Sequence, residues 1–121
     1  MPTCEVWDLV RVPFPYTNRP VRQHRPALVV AAPSTQGGPS LLWVLMVTSA
    51  ANRGWPGDVA VSDLVGTGLP VASVVRPAKI ATIEASDAER IGRLPPADRP
   101  DVAQALRASL RAALTRGARS G

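Results

Sequence analysis

Arginine is the residue with which this chain can do most chemistry. Of its 14 basic residues, set against 9 acidic ones, all but Lys79 are arginines, and the 121-residue chain carries a formal net charge of +5. A guanidinium is planar, permanently charged and forked to hold two phosphate oxygens at once, so this balance points to a polyanionic partner. Few other side chains can assist. His24 is the single group that titrates near neutrality, and it adjoins Arg25. Thr48 and Ser49 place two hydroxyls at the polar end of an apolar run, and Arg76 stands just before Pro77. One cysteine, Cys4, and one histidine cannot build a Cys/His zinc site or a disulfide framework. Neither GxxxxGK nor GxGxxG occurs, so no phosphate loop of those kinds is expected. Chemistry without metal or cofactor, in a reduced cytoplasmic setting, is the expectation.

These residues need a scaffold, and the length fits a single domain over residues 1–121. Hydrophobic residues make up 45%, so the 13 prolines punctuate a folded chain and do not signal disorder. Residues 6–12 read as a strand ending in the Pro13/Pro15 corner, followed by a basic loop over 16–24. Residues 27–32 and 41–47 are apolar runs of strand length, the second with Trp43 as a core residue and Thr48 at its end. Residues 58–61 alternate like an edge strand, 71–76 and 79–84 read as two strands split by Pro77, and 91–94 as a last short one. Residues 86–90 predict one helical turn, Ser86 as N-cap and Glu89 at N3. A C-terminal helix is predicted over 98–116, capped by Asp98, with Val102, Leu106, Leu110, Ala113 and Leu114 on one face and Gly117 as its stop. Its Arg107, Arg111 and Arg116 read as a solvated face. The sum is an α+β chain, mainly β: a small barrel or strongly bent sheet with one late helix. No apolar stretch approaches the ~20 residues that span a bilayer.

The run Val6-Trp7-Asp8-Leu9-Val10-Arg11-Val12-Pro13-Phe14-Pro15-Tyr16-Thr17, followed by His24-Arg25-Pro26-Ala27-Leu28-Val29-Val30, resembles the MazF/PemK family of toxin endoribonucleases. Val47-Thr48-Ser49, Ser73-Val74-Val75-Arg76 before Lys79-Ile80-Ala81-Thr82-Ile83, and Gly92-Arg93-Leu94 before the helix follow in register. The resemblance covers about residues 6 to 116. It implies an SH3-like small β-barrel with a C-terminal α-helix, a homodimer, metal-independent and sequence-selective cleavage of single-stranded RNA, and inhibition by a cognate antitoxin. It puts the family's catalytic arginine on Arg25, its hydroxyl residue on Thr48, and a second arginine used by some members on Arg76. Two departures stand out. Those members carry an aspartate where this chain has Ala78, and many begin with a glycine where this chain has Trp7.

RNA is cut when its 2′-hydroxyl attacks the adjacent phosphate, and the enzyme must position that hydroxyl and stabilise a more negative phosphorane. Arg25 is suited to hold the non-bridging oxygens and Thr48 to donate a hydrogen bond. An arginine side chain keeps its proton at neutral pH, which makes Arg25 an electrostatic group and not a base. His24 is a candidate base only if the chain bends, because neighbouring residues of a strand face opposite ways. Ser49 and Arg76 are further candidates for catalysis or phosphate binding, and Arg19, Arg22, Arg53 and Trp55 for an RNA path of phosphate contacts and base stacking. An alternative for Arg25 is a plain ion pair with Asp8 or Asp58. Two rival functions remain open at this point: a CcdB-like gyrase-poisoning binder of the same fold, against which the polar Arg116-Gly117-Ala118-Arg119-Ser120-Gly121 end argues, and a silent family member that only binds antitoxin, kept alive by Ala78. An acidic, partly disordered antitoxin paired with the edge strand at 58–61 would cover Arg25 and Thr48.

Overall fold

Two contiguous apolar runs, Ala27-Leu28-Val29 and Val44-Leu45, are fully buried on both sides, which a strand achieves only at the centre of a sheet covered on both faces. The computed structural model describes residues 4–14, 23–33, 36–38, 40–52 and 54–120. Among these, six strands form one antiparallel sheet: β1 (Asp8–Phe14), β2 (Gln23–Ala31), β3 (Leu41–Ser49), β4 (Val59–Ala60), β5 (Ser73–Glu84) and β6 (Glu89–Arg93). Their order is β4-β5-β3-β2-β1-β6, a curled half-barrel with β4 and β6 as its edges, followed by the helix α1 (Arg99–Ser120). Among the described residues, no helix is long and apolar enough to cross a membrane.

Alternation along the strands sorts the core into two layers. Val10, Val12, Ala27, Val29, Leu42, Val44, Met46 and Ile83 share one face. Leu9, Leu28, Leu45, Val47 and Val75 point the other way, where Val102 and Leu106 of α1 and Leu94 cover them. Cys4 packs against the first layer, and burial pushes its thiol pKa up, which disfavours the reactive thiolate.

Several expected elements differ in detail. The strands expected at 71–76 and 79–84 are one strand, β5, in which Leu45 pairs with Ile80 and the next residue, Met46, with Arg76. Pro77, Ala78 and Lys79 bulge out of the ladder, so the missing Pro77 N–H costs no ladder bond. The turn expected at 86–90 is a 3-10 turn at Ala85–Asp87 whose flanking residue is Glu84, and Glu89 begins β6. Ser86 therefore caps nothing. Asp98 is buried in a further 3-10 turn, Pro96–Asp98, where its carboxylate accepts from the Ser62 N–H (2.9 Å) and hydroxyl (3.1 Å), and α1 starts one residue later. The helix runs past Gly117 to Ser120. Trp43 is 43% exposed and so is not the core residue that its apolar run predicts.

Trp7 occupies the glycine position of the resemblance, with φ 76°. That left-handed conformation costs an L-residue about 1–2 kcal/mol. It is held by two backbone bonds, Trp7 N–H to the Val29 carbonyl (2.8 Å) and Leu94 N–H to the Trp7 carbonyl (2.9 Å). The indole compensates by packing on the second core layer, with the Arg99 guanidinium 6.0 Å from the ring centre. Gly92, by contrast, admits no side chain, since a Cβ there would collide with the Thr67 backbone. Trp7→Ala and Trp7→Gly should both destabilise, but Trp7→Gly by about 1 kcal/mol less, because it loses the packing and also relieves the backbone. Urea unfolding of both variants checks this; the opposite ranking would mean that the positive φ carries no strain.

Candidate active site

The three central strands bring three sequence-distant residues to one end of one sheet face. Arg25 lies on the face of Ala27 and Val29, Thr48 on that of Val44 and Met46, and Arg76 is the register partner of Met46. β2 pairs with β3 only as far as Ala27 and Met46, although it continues along β1 to Gln23. Pro26, with no N–H to give, stands where the β2 and β3 ladder stops. A groove of about 410 Å³ opens there, lined by Arg25, Met46, Val47, Thr48, Asn52, Trp55, Arg76 and Lys79.

The two arginines play different parts. Arg25 is exposed, and its Nη2 donates to the Gln23 side chain at 3.2 Å. It makes no ion pair among the described residues, so the alternative of pairing with Asp8 or Asp58 is not what the structure shows. Asp8 is buried and faces Arg90 (3.4 Å) and Arg93 (3.3 Å) instead. Arg76 and Asp58 are side chains only 9% and 8% exposed. Arg76 Nε donates to Asp58 Oδ1 at 3.1 Å, and its Nη2 to Asp58 Oδ2 at 3.0 Å and to the Asn52 carbonyl at 2.8 Å. Its guanidinium also lies 4.2 Å from the centre of the Trp55 ring. With three of its five N–H groups committed, Arg76 is a strut of the groove wall more than a free phosphate ligand. The hydrogen bond from Arg76 holds the Asp58 carboxyl below its ordinary range, and Asp58 in turn pushes Arg76 up.

Other expected site residues divide. Trp55 is 48% exposed at the groove's rim, one face on Arg76, and so still offers surface for stacking. Ser49 Oγ accepts from the Ala51 N–H at 3.2 Å and serves the 3-10 turn Ala50–Asn52. His24 points away from the groove, on the opposite face of β2, near Arg11 and Glu89. Arg19, Arg22 and Arg53 lie outside the described residues. Asn52 and Lys79 were not anticipated. Asn52 Nδ2 donates to Thr48 Oγ1 at 3.1 Å, a contact whose sequence signal is an amide four residues after the hydroxyl. No group of three or more His, Cys, Asp or Glu among the described residues could hold a metal ion.

Residues 5–110 match the family described as "PemK-like, MazF-like toxin of type II toxin-antitoxin system". The chain belongs to the PemK/MazF toxin family. The crystal structure of MazF (Form-I) from Deinococcus radiodurans superposes with a TM-score of 0.69 at 26% identity, over 91% of this chain and 98% of that one. MazE-MazF (Form-II) from the same organism gives 0.67 at 23% identity, over 91% and 97% of the two chains. An endoribonuclease in complex with its cognate antitoxin from Mycobacterial species gives 0.66 at 19%, over 87% and 92%. A comparison with curated protein sequences gives no match. The expected fold, a small, curled, mainly β sheet with one C-terminal helix, is therefore present. Where the resemblance expects an aspartate, Ala78 sits in the β5 bulge, and the carboxylate facing Arg76 is Asp58.

A carboxyl held below its ordinary pKa stabilises the fold above its unfolded pKa of about 4, and that stabilisation is lost as pH falls toward the folded value. The gap in unfolding midpoint between the parent chain and Asp58→Asn should be steady from about pH 5 to 7 and narrow below about pH 4. Thermal unfolding of both across that range is the check; a gap independent of pH would show that Asp58 is not held charged by Arg76.

Proposed function

We propose that this chain is a metal-independent, sequence-selective endoribonuclease toxin of a type II toxin-antitoxin system, acting on cytoplasmic single-stranded RNA and so inhibiting translation and growth. The observation that carries this reading is an exposed Arg25, without an acidic partner among the described residues, lining one groove with the Thr48 hydroxyl. A phosphodiester in that groove would put its non-bridging oxygens on the Arg25 fork, while Thr48 donates to the same phosphate or to the leaving 5′-oxygen. The 2′-oxygen then bonds to phosphorus, the bond to the 5′-oxygen breaks, and the proton lost from the 2′-hydroxyl is matched by one gained at the 5′-oxygen. The products are a 2′,3′-cyclic phosphate and a 5′-hydroxyl. Fixed positive charge at the phosphorane is the main source of rate, since a preorganised donor is worth about 3 kcal/mol there. Trp55 and Lys79, which line the same groove, suit base stacking and backbone contact.

Two partners follow. A cognate antitoxin with an acidic extended segment suits this groove, because its carboxylates would replace RNA phosphates on the arginine, and β4, an edge strand of the sheet, is the candidate for strand pairing. A second copy of the chain suits the apolar stripe of α1, where Leu110 is exposed beside Ile80 of β5 and Leu114 is exposed one turn further on.

Purified protein should cut a long single-stranded RNA in excess EDTA; cleavage that needs added magnesium would overturn the reading. Arg25→Ala should slow cleavage by about 10²-fold or more while leaving the unfolding midpoint unchanged, because it removes a phosphorane contact from an exposed side chain. Single-turnover rates and a melt of the same preparation decide it, and an unchanged rate would take Arg25 out of the site.

A further inference from the structure

A threonine hydroxyl has one proton to give and can accept two hydrogen bonds, and it rotates to suit its neighbours. For Thr48 to donate to a phosphate, something must keep that proton from being spent elsewhere. The structure shows what does so. Asn52 Nδ2 donates to Thr48 Oγ1 at 3.1 Å, which fills an acceptor position and leaves the Oγ–H free. Asn52 is in turn fixed through its backbone carbonyl, which accepts from Arg76 Nη2 at 2.8 Å, and Arg76 is clamped by Asp58. All but Asp58 line the one groove, and the 3-10 turn Ala50–Asn52 brings the amide back over the end of β3.

We propose that Asn52 is the positioning residue of this site, holding the Thr48 hydroxyl as a hydrogen-bond donor to the scissile phosphate, with Arg76 and Asp58 acting at second remove as the support for Asn52. This rests on the ribonuclease reading given above. It also gives Arg76 a function that its engaged fork permits. An arginine that spends its donors on Asp58 and on a main-chain carbonyl still bears on the reaction by fixing the turn that carries Asn52.

The exchange of an amide for a carboxylate separates this from a merely structural contact. A carboxylate at position 52 can only accept, so the Thr48 proton would turn toward it and be lost to the substrate. The variants are Asn52→Ala, Asn52→Asp, Thr48→Val and the two doubles, assayed for kcat on an RNA substrate and for Kd with the same RNA carrying a 2′-deoxy nucleotide at the cut site. Asn52→Ala should lower kcat about 10-fold, and Asn52→Asp and Thr48→Val about 100-fold, while the Kd of Asn52→Ala and of Thr48→Val stays within about twofold of the parent. Both doubles should be no slower than Thr48→Val alone, since the amide acts only through that hydroxyl. Losses that add in the doubles, or a carboxylate penalty that persists in the Thr48→Val background, would show charge repulsion or a separate role and overturn the inference. A parent chain that cuts no RNA would bring down the ribonuclease reading and this role together, whereas a parent that cuts RNA with additive doubles brings down this role alone.

Discussion

The buried pair between Arg76 and Asp58 is the interaction on which the groove depends. Removing two charges from water is costly, and Coulomb attraction alone offsets this only with good geometry and further hydrogen bonds. Here the geometry is bidentate, the remaining Nη2 donor meets the Asn52 carbonyl, and the indole of Trp55 lies against the guanidinium face. One side chain from β5 thus ties together the turn after β3, the loop around Trp55 and the residue that leads into β4. Without it, three polar segments with little apolar burial would have no common anchor.

Around that anchor, two interruptions of the sheet make space for chemistry. The β2 and β3 ladder stops at Ala27 beside Pro26, and β5 bulges over residues 77–79 opposite the step from Leu45 to Met46. A continuous ladder would have closed this end of the sheet with paired backbone. The interruptions leave Arg25, Thr48 and Lys79 lining one groove. Arg25 and Arg76 are the same residue type on the same face, and what divides them is the availability of a carboxylate. Asp58 reaches Arg76 and is thereby spent, so of the two arginines it is Arg25 that makes no ion pair among the described residues.

The strained Trp7 and the exposed Trp43 show a different balance. At Trp7 the gain from packing on the second core layer outweighs an unfavourable φ, so a large side chain occupies a position where glycine would be expected. At Trp43 a residue of high β propensity sits at a central strand position yet nearly half in solvent. Composition and local pattern favour burial in both cases; the tertiary packing covers Trp7 and leaves Trp43 exposed.

Length, an arginine-dominated charge balance, apolar runs of strand length and the ordered motifs around Arg25, Thr48 and Arg76 were enough to define the class of fold, the family and four of the residues that line the groove, Arg25, Thr48, Trp55 and Arg76. These are properties of local pattern, carried by neighbours in the chain. The same local pattern split β5 at Pro77, since a proline without its ladder partner looks like a break, and gave Ser86 and Asp98 capping roles. Only the tertiary structure decided that the break is a bulge, that the Asp98 carboxylate serves Ser62, that His24 faces away from the groove and that Arg76 is committed to Asp58. It alone revealed Asn52 on Thr48. Each of these turns on which side chain from another strand arrives within hydrogen-bond distance, and that is set by sheet register and curl between segments far apart in sequence.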